Sequence, residues 1–154
     1  MIAPSMPAAA HHILIIDDNP GDLALTTEAF KECEFDADFS YAMTGSDAID
    51  LLGRTGAHAH SEKPLPHLII LDLNLPNRNG LEVLAFIKGS PELQRIPTVI
   101  LSTSGRISDI KESYGLNANE YLIKPRRWSQ LLTLIRPLRK FLDGPHPPMP
   151  LESR

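Results

Sequence analysis

Four apolar runs in this sequence stop at residues that can manage charge. Ile13–Ile16 stops at Asp17-Asp18, Leu68–Leu71 at Asp72, Pro97–Leu101 at Ser102, and Asn119–Ile123 at Lys124-Pro125. As parallel strands of one sheet, the runs would place all these residues on a single edge, outside the carboxyl ends of the strands. That is where open α/β folds bind ligands. Three carboxylates gathered there repel one another, which raises their apparent pKa unless a cation intervenes. One lysine is too little for three acids. A hard divalent cation with oxygen ligands fits, and Mg²⁺ commonly uses one or two carboxylates plus waters and a phosphate. Lysine and serine donors beside such an ion suit a phosphoryl group, whose transfer rests on positioning and charge neutralisation. A carboxylate can itself accept the group. Taken singly, Asp17-Asp18 also reads as a helix-start signal and Lys124-Pro125 as a surface loop. The ensemble of complementary strand ends is what points to a site.

The elements that would carry these residues alternate. Ile13–Ile16 is a short, β-branched-rich run of the kind buried on both faces. Asn19 suits an N-cap, Pro20 the first helical position and Asp22 the positive first turn, which predicts a helix over 20–33 with Leu23, Phe30 and Cys33 inward. Ala37–Ala42 is a weaker second strand. Thr44-Gly45-Ser46-Asp47 resembles a capping box, followed by the helical face Ala48, Leu51, Leu52. Residues 53–66 form a long loop. Asn79-Gly80 is a turn before a helix that begins with Leu81, residues 107–114 make a short polar helix, and 127–142 make the last one. The order βαβαβαβαβα predicts an α/β fold with a parallel sheet covered on both faces.

At 154 residues, the chain fits one domain. The formal net charge of −4 lacks the basic footprint of non-specific nucleic-acid binding. Cys33 is the single cysteine, so neither an internal disulfide nor a multi-cysteine zinc site is available. No segment has the roughly 18–20 apolar residues of a membrane span, and the N-terminal stretch has no basic region before its apolar run. These features predict a cytoplasmic protein. Residues 1–11 read as a flexible arm, 12–142 as the domain, and 143–154, with Pro145, Pro147, Pro148 and Pro150, as an extended tail.

The motifs together resemble the receiver domains of two-component response regulators. They are Ile15-Ile16-Asp17-Asp18-Asn19, Leu71-Asp72-Leu73-Asn74-Leu75-Pro76, Asn79-Gly80, Ile96-Pro97 with Ser102 five residues past the proline, and Tyr121-Leu122-Ile123-Lys124-Pro125. The resemblance implies a flavodoxin-like, doubly wound five-stranded sheet of order 2-1-3-4-5 with five helices. It implies that Asp72 accepts a phosphoryl group from a sensor histidine kinase. Mg²⁺ would be held by Asp18, Asp72 and the Asn74 carbonyl, with Asp17 direct or through water. Ser102 and Lys124 would contact the phosphoryl oxygens, with backbone amides near Leu73, Asn74 and Thr103. Tyr121 would rotate when Ser102 is drawn toward the phosphate. The protein would be a phospho-acceptor with weak self-phosphorylation and autodephosphorylation rather than an enzyme.

A narrower resemblance is to the stand-alone regulators paired with bacterial and cyanobacterial phytochromes. It rests on Asp18-Asn-Pro-Gly-Asp22, the 53–66 loop, Asp72–Pro76, Leu101-Ser-Thr-Ser104 and Ser129-Gln130-Leu131. It implies a bacteriophytochrome kinase as partner. With about a dozen residues beyond the last helix, the chain is expected to signal by protein contact, or to act as a phosphate sink or shuttle. Two rivals compete. A phosphohydrolase resembling the haloacid dehalogenases would carry a nucleophile-x-acid pair after the first strand, whereas here the acids are adjacent and position 74 is Asn. A degenerate scaffold would not need Asp17, Asp18, Asp72, Ser102 and Lys124 intact.

Of the remaining residues, His11, His12, His58, His60, His67 and His146 are scattered; His58 and His60 could form a metal site but read as solvated loop residues, His67 reads as structural, Cys33 as core and Trp128 as packing. Arg126, Arg127, Arg136, Arg139 and Lys140 form a basic helix face. Apolar residues from Trp128 to Leu142 span about half the last helix, wider than the roughly 100° stripe a sheet covers. Pro137 should kink that helix and swing Leu138–Leu142 off the sheet, leaving Leu134 and Phe141 without a sheet partner. A homodimer through this helix and the tail is the expectation.

Overall fold

The structure, a computed structural model, describes residues 9–54, 64–76 and 79–143. His58, His60, His146, most of the expected arm and loop, and the tail beyond Asp143 lie outside them. The elements are β1 (His11–Ile16), α1 (Pro20–Glu32), β2 (Ala37–Ala42), α2 (Gly45–Gly53), β3 (Leu68–Leu71), α3 (Gly80–Gly89), β4 (Thr98–Ser102), α4 (Ile107–Gly115), β5 (Glu120–Ile123) and α5 (Trp128–Ile135). A 3-10 turn (Arg136–Arg139) and a short α6 (Lys140–Asp143) complete the chain's described end. All strand pairs are parallel, in the order β2-β1-β3-β4-β5 expected from the sequence.

Alternation along the strands splits the core in two. Ile13, Ile15, Leu68 and Ile70 face α1 and α5, where Phe30, Leu131 and Ile135 are buried. Leu14, Ile16, Ile69 and Leu71 face α2 and α3, where Ala48, Leu52, Val83, Leu84 and Ile87 are buried. The caps fall where their residue types ask for them. Asn19 Oδ1 accepts from Asp22 N at 3.0 Å and Thr44 Oγ1 from Asp47 N at 2.9 Å. Asn79 caps α3 by accepting from Glu82 N at 3.0 Å. Gly80 therefore belongs to the helix, not to a preceding turn. A Cβ at Gly80 would collide with the Leu73 Cα and the Asp72 carbonyl, so glycine lets α3 press onto the loop after β3.

β1 starts two residues before the predicted run and includes His11 and His12. The His12 ring bonds Ser40 Oγ at 2.7 Å and the Pro64 carbonyl at 3.1 Å. His12 N donates to His67 Nδ1 at 2.9 Å, and the His11 and His67 rings meet edge to face. These histidines fasten the end of the sheet away from the carboxylates. β1 therefore begins at His11, inside the stretch expected as an arm.

The last helix departs from expectation in an instructive way. It does break at Pro137, which lacks an N–H to donate, but the break is a 3-10 turn. Three residues per turn put positions i and i+3 on one line, so Leu138 falls beneath Ile135. Leu138 is 0% exposed and Leu142 is buried, both in the β1–α1 core. Leu134 and Phe141 pack partly buried against the same cluster. The segment is not swung off the sheet, and Leu134 and Phe141, expected to lack a partner within the protomer, are partly covered there. Trp128, by contrast, is exposed rather than packed. The basic face is also divided. The Arg139 guanidinium donates to the Cys33 carbonyl at 2.5 Å and lies 4.5 Å from the Phe35 ring centroid. Lys140 pairs with Glu120 at 3.0 Å, while Arg126, Arg127 and Arg136 stay exposed. Cys33 is buried, as expected.

Burial of Leu138 has a measurable consequence. Leu138→Ala should lower unfolding stability by about 2–5 kcal/mol in urea titrations, whereas half-buried Leu134→Ala should cost less than about 1.5 kcal/mol. Equal, small losses would restore the swung-out helix.

Candidate functional site

Register builds the site. Ile16 lies opposite Leu71, Leu71 opposite Ile100, and Ser102 opposite Ile123. The next residues, Asp17, Asp72 and Lys124, therefore emerge on one edge. Their backbones stay tied to the sheet, with Asp17 N donating to Ala42 O, Asp72 N to Ile16 O and Lys124 N to Ser102 O, all within 2.8–3.0 Å. Oxygen atoms of Asp17, Asp18 and Asp72 lie within 4.8 Å of one another. Asp17 and Asp72 are buried, while Asp18 is exposed.

Lys124 ties the edge together. Its Nζ donates to Asp17 Oδ2 at 2.7 Å, Asp72 Oδ2 at 2.8 Å and Asp22 Oδ2 at 2.9 Å. Burial works to lower the ammonium pKa, but the bonds from Asp17, Asp72 and Asp22 outweigh it and hold Lys124 above the ordinary lysine value. Burial also raises the Asp17 pKa, against the opposing bonds from Lys124 and the Asn19 N–H. The donor set is all hard oxygen, and one ammonium serves a cluster holding more than one buried acid. A divalent cation of the oxygen-loving kind fits these residues.

The structure brings Asp17, Asp18, Asp72 and Lys124 together as the sequence suggested. Asn74 N donates to Asp72 Oδ1 at 3.0 Å, so one of the expected backbone amides already faces the carboxylate. Leu73 is buried and its carbonyl accepts from Gly80 N at 2.8 Å. Ser102 is fully buried and its Oγ accepts from Ser104 N at 3.2 Å. Thr103 is exposed beside it. Tyr121 is half-buried, and its hydroxyl donates to the Ser104 carbonyl at 2.7 Å. Two groups escaped sequence reading. Asp22 was legible only as a helix-start charge, although its place in the first turn after β1 sets it near the same edge. Ser104 and Asp109 form a latch in the β4–α4 connection, where Ser104 Oγ donates to Asp109 Oδ2 at 2.5 Å.

With that geometry in place, the relationships to known proteins are consistent. Residues 13–136 match the response regulator receiver domain family, and the chain belongs to it. It is similar to the response regulator Rcp1 of Synechocystis, 39% identical over 84% of this chain and 86% of that protein. The Mn²⁺-bound form of Rcp1 superposes with a TM-score of 0.77 at 38% identity, covering 86% of this chain and 94% of the other. The phosphorylated cyanobacterial phytochrome response regulator RcpA superposes with a TM-score of 0.77 at 38% identity, over 85% of this chain and 92% of that one. The bacteriophytochrome response regulator AtBRR does so with a TM-score of 0.70 at 37% identity, over 82% and 90% of the two chains. The flavodoxin-like receiver fold expected from the sequence is thus established, as is a relationship to phytochrome response regulators. Among the described residues, no helix is long and apolar enough to cross a membrane.

The Ser104–Asp109 latch predicts a titration. The Ser104 hydroxyl, helped by Arg106, holds the Asp109 carboxyl below its usual 3.8. A depressed folded value means the bond stabilises the native state above pH 3.8 and is lost as pH falls through the folded value. Carboxyl-carbon NMR should give a midpoint below 3.8 for Asp109, and Ser104→Ala should raise it toward that value. A midpoint unmoved by the substitution would remove the latch.

Proposed function

We propose that this chain accepts a phosphoryl group on Asp72 from a sensor histidine kinase of the phytochrome type and passes the signal on by protein contact. The observation that carries this reading is Lys124 bonded at once to Asp17 and Asp72 at the strand ends. In the transfer, an Asp72 carboxylate oxygen attacks phosphorus and forms the new P–O bond. The P–N bond of the kinase phosphohistidine breaks, and the ring nitrogen leaves with its electron pair. Lys124 and Ser102 donate to the phosphoryl oxygens, joined by the backbone amides of Leu73, Asn74 and Thr103. Asp17, Asp18, Asp72 and the Asn74 carbonyl would hold Mg²⁺, which supplies charge neutralisation for the phosphoryl oxygens. Water later releases the phosphate, so the chain promotes its own phosphorylation and dephosphorylation without being a turnover enzyme. Ser102, turning its hydroxyl toward the phosphate, would withdraw the acceptor now used by Ser104 N. The change then reaches Tyr121 and Asp109 through Ser104. The phosphorylated form of RcpA and the Mn²⁺-bound form of Rcp1 support the reading.

A small phosphodonor with Mg²⁺ should add one phosphate to the wild type and none to Asp72→Asn, by intact mass. Asp18→Ala should weaken Mg²⁺ binding at least about tenfold, the scale of one lost charged ligand bond, while leaving the metal-free melting temperature unchanged or raised. Normal labelling of Asp72→Asn sinks the assignment.

The sequence places the homodimer on the last helix and its tail; with Leu134, Leu138 and Phe141 packed against the β1–α1 core, the dimer proposed here uses the face of α4 and β5 instead. Ile107, Tyr114 and Ile123 are exposed apolar side chains of α4 and β5, and Tyr114 Oη bonds Tyr121 N at 3.0 Å. Sedimentation at tens of micromolar should show a dimer in the wild type with the phosphate mimic beryllofluoride, and a monomer for Ile123→Glu. A wild-type monomer with and without the mimic refutes it.

A further inference from the structure

We propose that Asp22 is a positioning residue that keeps the Lys124 ammonium at the strand ends while Asp17 and Asp72 turn to a cation and a phosphoryl group. The inference rests on the phospho-acceptor reading of Asp72. An ammonium has three N–H donors, and Lys124 spends them on Asp17, Asp72 and Asp22. A phosphoryl group on Asp72 needs donors that are now engaged. The Asp17 and Asp72 oxygens belong to the tight carboxylate group, whose members lie within 4.8 Å of one another, and Asp22 does not. When Asp17 and Asp72 coordinate a cation, the bond to Asp22 is therefore the one Lys124 can retain. Two N–H donors are then free to meet phosphoryl oxygens, and the ammonium stays anchored rather than swinging to solvent.

The anchor is itself held. Asp22 N donates to Asn19 Oδ1 at 3.0 Å, and Asn19 N donates to Asp17 Oδ1 at 3.0 Å. With Lys124 bonded to both Asp17 and Asp22, these contacts close a ring that joins the end of β1, the first turn of α1 and the end of β5. The Asp22 side chain is 36% exposed, against 12% for Lys124. It thus sits at the rim, outside the buried pair of acids.

The cap uses the Asp22 backbone N–H, so Asp22→Asn keeps the helix start and deletes only the charge. The first readout needs no phosphate. With Mg²⁺ alone, the slowly exchanging Lys124 Nζ–H signal in ¹⁵N NMR should persist in the wild type and vanish in Asp22→Asn. The second is labelling by a small phosphodonor at saturating Mg²⁺. The rate should fall roughly tenfold in Asp22→Asn, the worth of one charge-assisted hydrogen bond. Asp22→Glu should recover part of it, and the half-saturating Mg²⁺ concentration should move by less than about threefold, since a second-sphere charge acts only through a screened field. A merely structural first-turn acid would shift the melting temperature and none of these. Persistence of the Lys124 signal in Asp22→Asn, its loss in the wild type on adding Mg²⁺, or an unchanged labelling rate overturns the proposal. Failure of the wild type to label at Asp72 overturns the phospho-acceptor reading and this inference with it.

Discussion

The ion group around the Lys124 ammonium is the constraint to which the rest of the site answers. Its three carboxylates come from the end of β1, the first turn of α1 and the end of β3, and the lysine from the end of β5. Each buried acid is costly without an opposite charge beside it. The sheet order makes β1 and β3 neighbours, which forces Asp17 and Asp72 together, and places β5 two strands from β3. At roughly 4.8 Å per strand, that gap is close to 10 Å. A lysine's long, flexible stem can bridge such a distance, whereas a short side chain at position 124 could not.

The second feature with functional weight is the asymmetry of packing around the sheet. α1, α3 and α5 each bury apolar residues in the core, but α4 buries only Ser113 among its described residues. An element with so little buried apolar surface is the one that opens or shifts at lowest cost. It is held instead by polar contacts, namely the Ser104–Asp109 bond, the Tyr121–Ser104 bond and Tyr121 N donating to Tyr114 Oη. Because Ser104 N also meets Ser102 Oγ, the connection from strand end to α4 is continuous. A pull on Ser102 would have a short path to a loosely packed helix, and a two-state shift there requires only differential contacts in the two arrangements.

The opposite end of the sheet behaves as a fastener. His67 accepts the His12 N–H through its ring nitrogen and donates its own N–H to the His12 carbonyl, so an imidazole extends the β1–β3 ladder just before β3 begins. Arg139 secures the end of α1 by capping the Cys33 carbonyl and covering Phe35. These contacts tie β1, β3 and the end of α1 together at the end of the sheet away from the carboxylates.

Asp17, Asp18, Asp72, Ser102 and Lys124 were legible in the sequence because parallel strands send their carboxyl ends to one edge, so a local pattern of where apolar runs stop is already a statement about three dimensions. Asn19 and Thr44 were legible because caps are local hydrogen bonds. Asp22 on Lys124, Arg139 on Cys33 and His12 on Ser40 were not. Each joins residues from different elements, and no spacing along the chain encodes the distance between them. The last helix shows the same boundary from the other side. Pro137 announced a break in the sequence, but the direction taken by Leu138 depended on a 3-10 turn that aligns it with Ile135. Local chemistry determined where the elements start, stop and present charge. The tertiary structure decided which charges meet and which apolar side chains are covered, because both depend on how separate elements pack against one sheet.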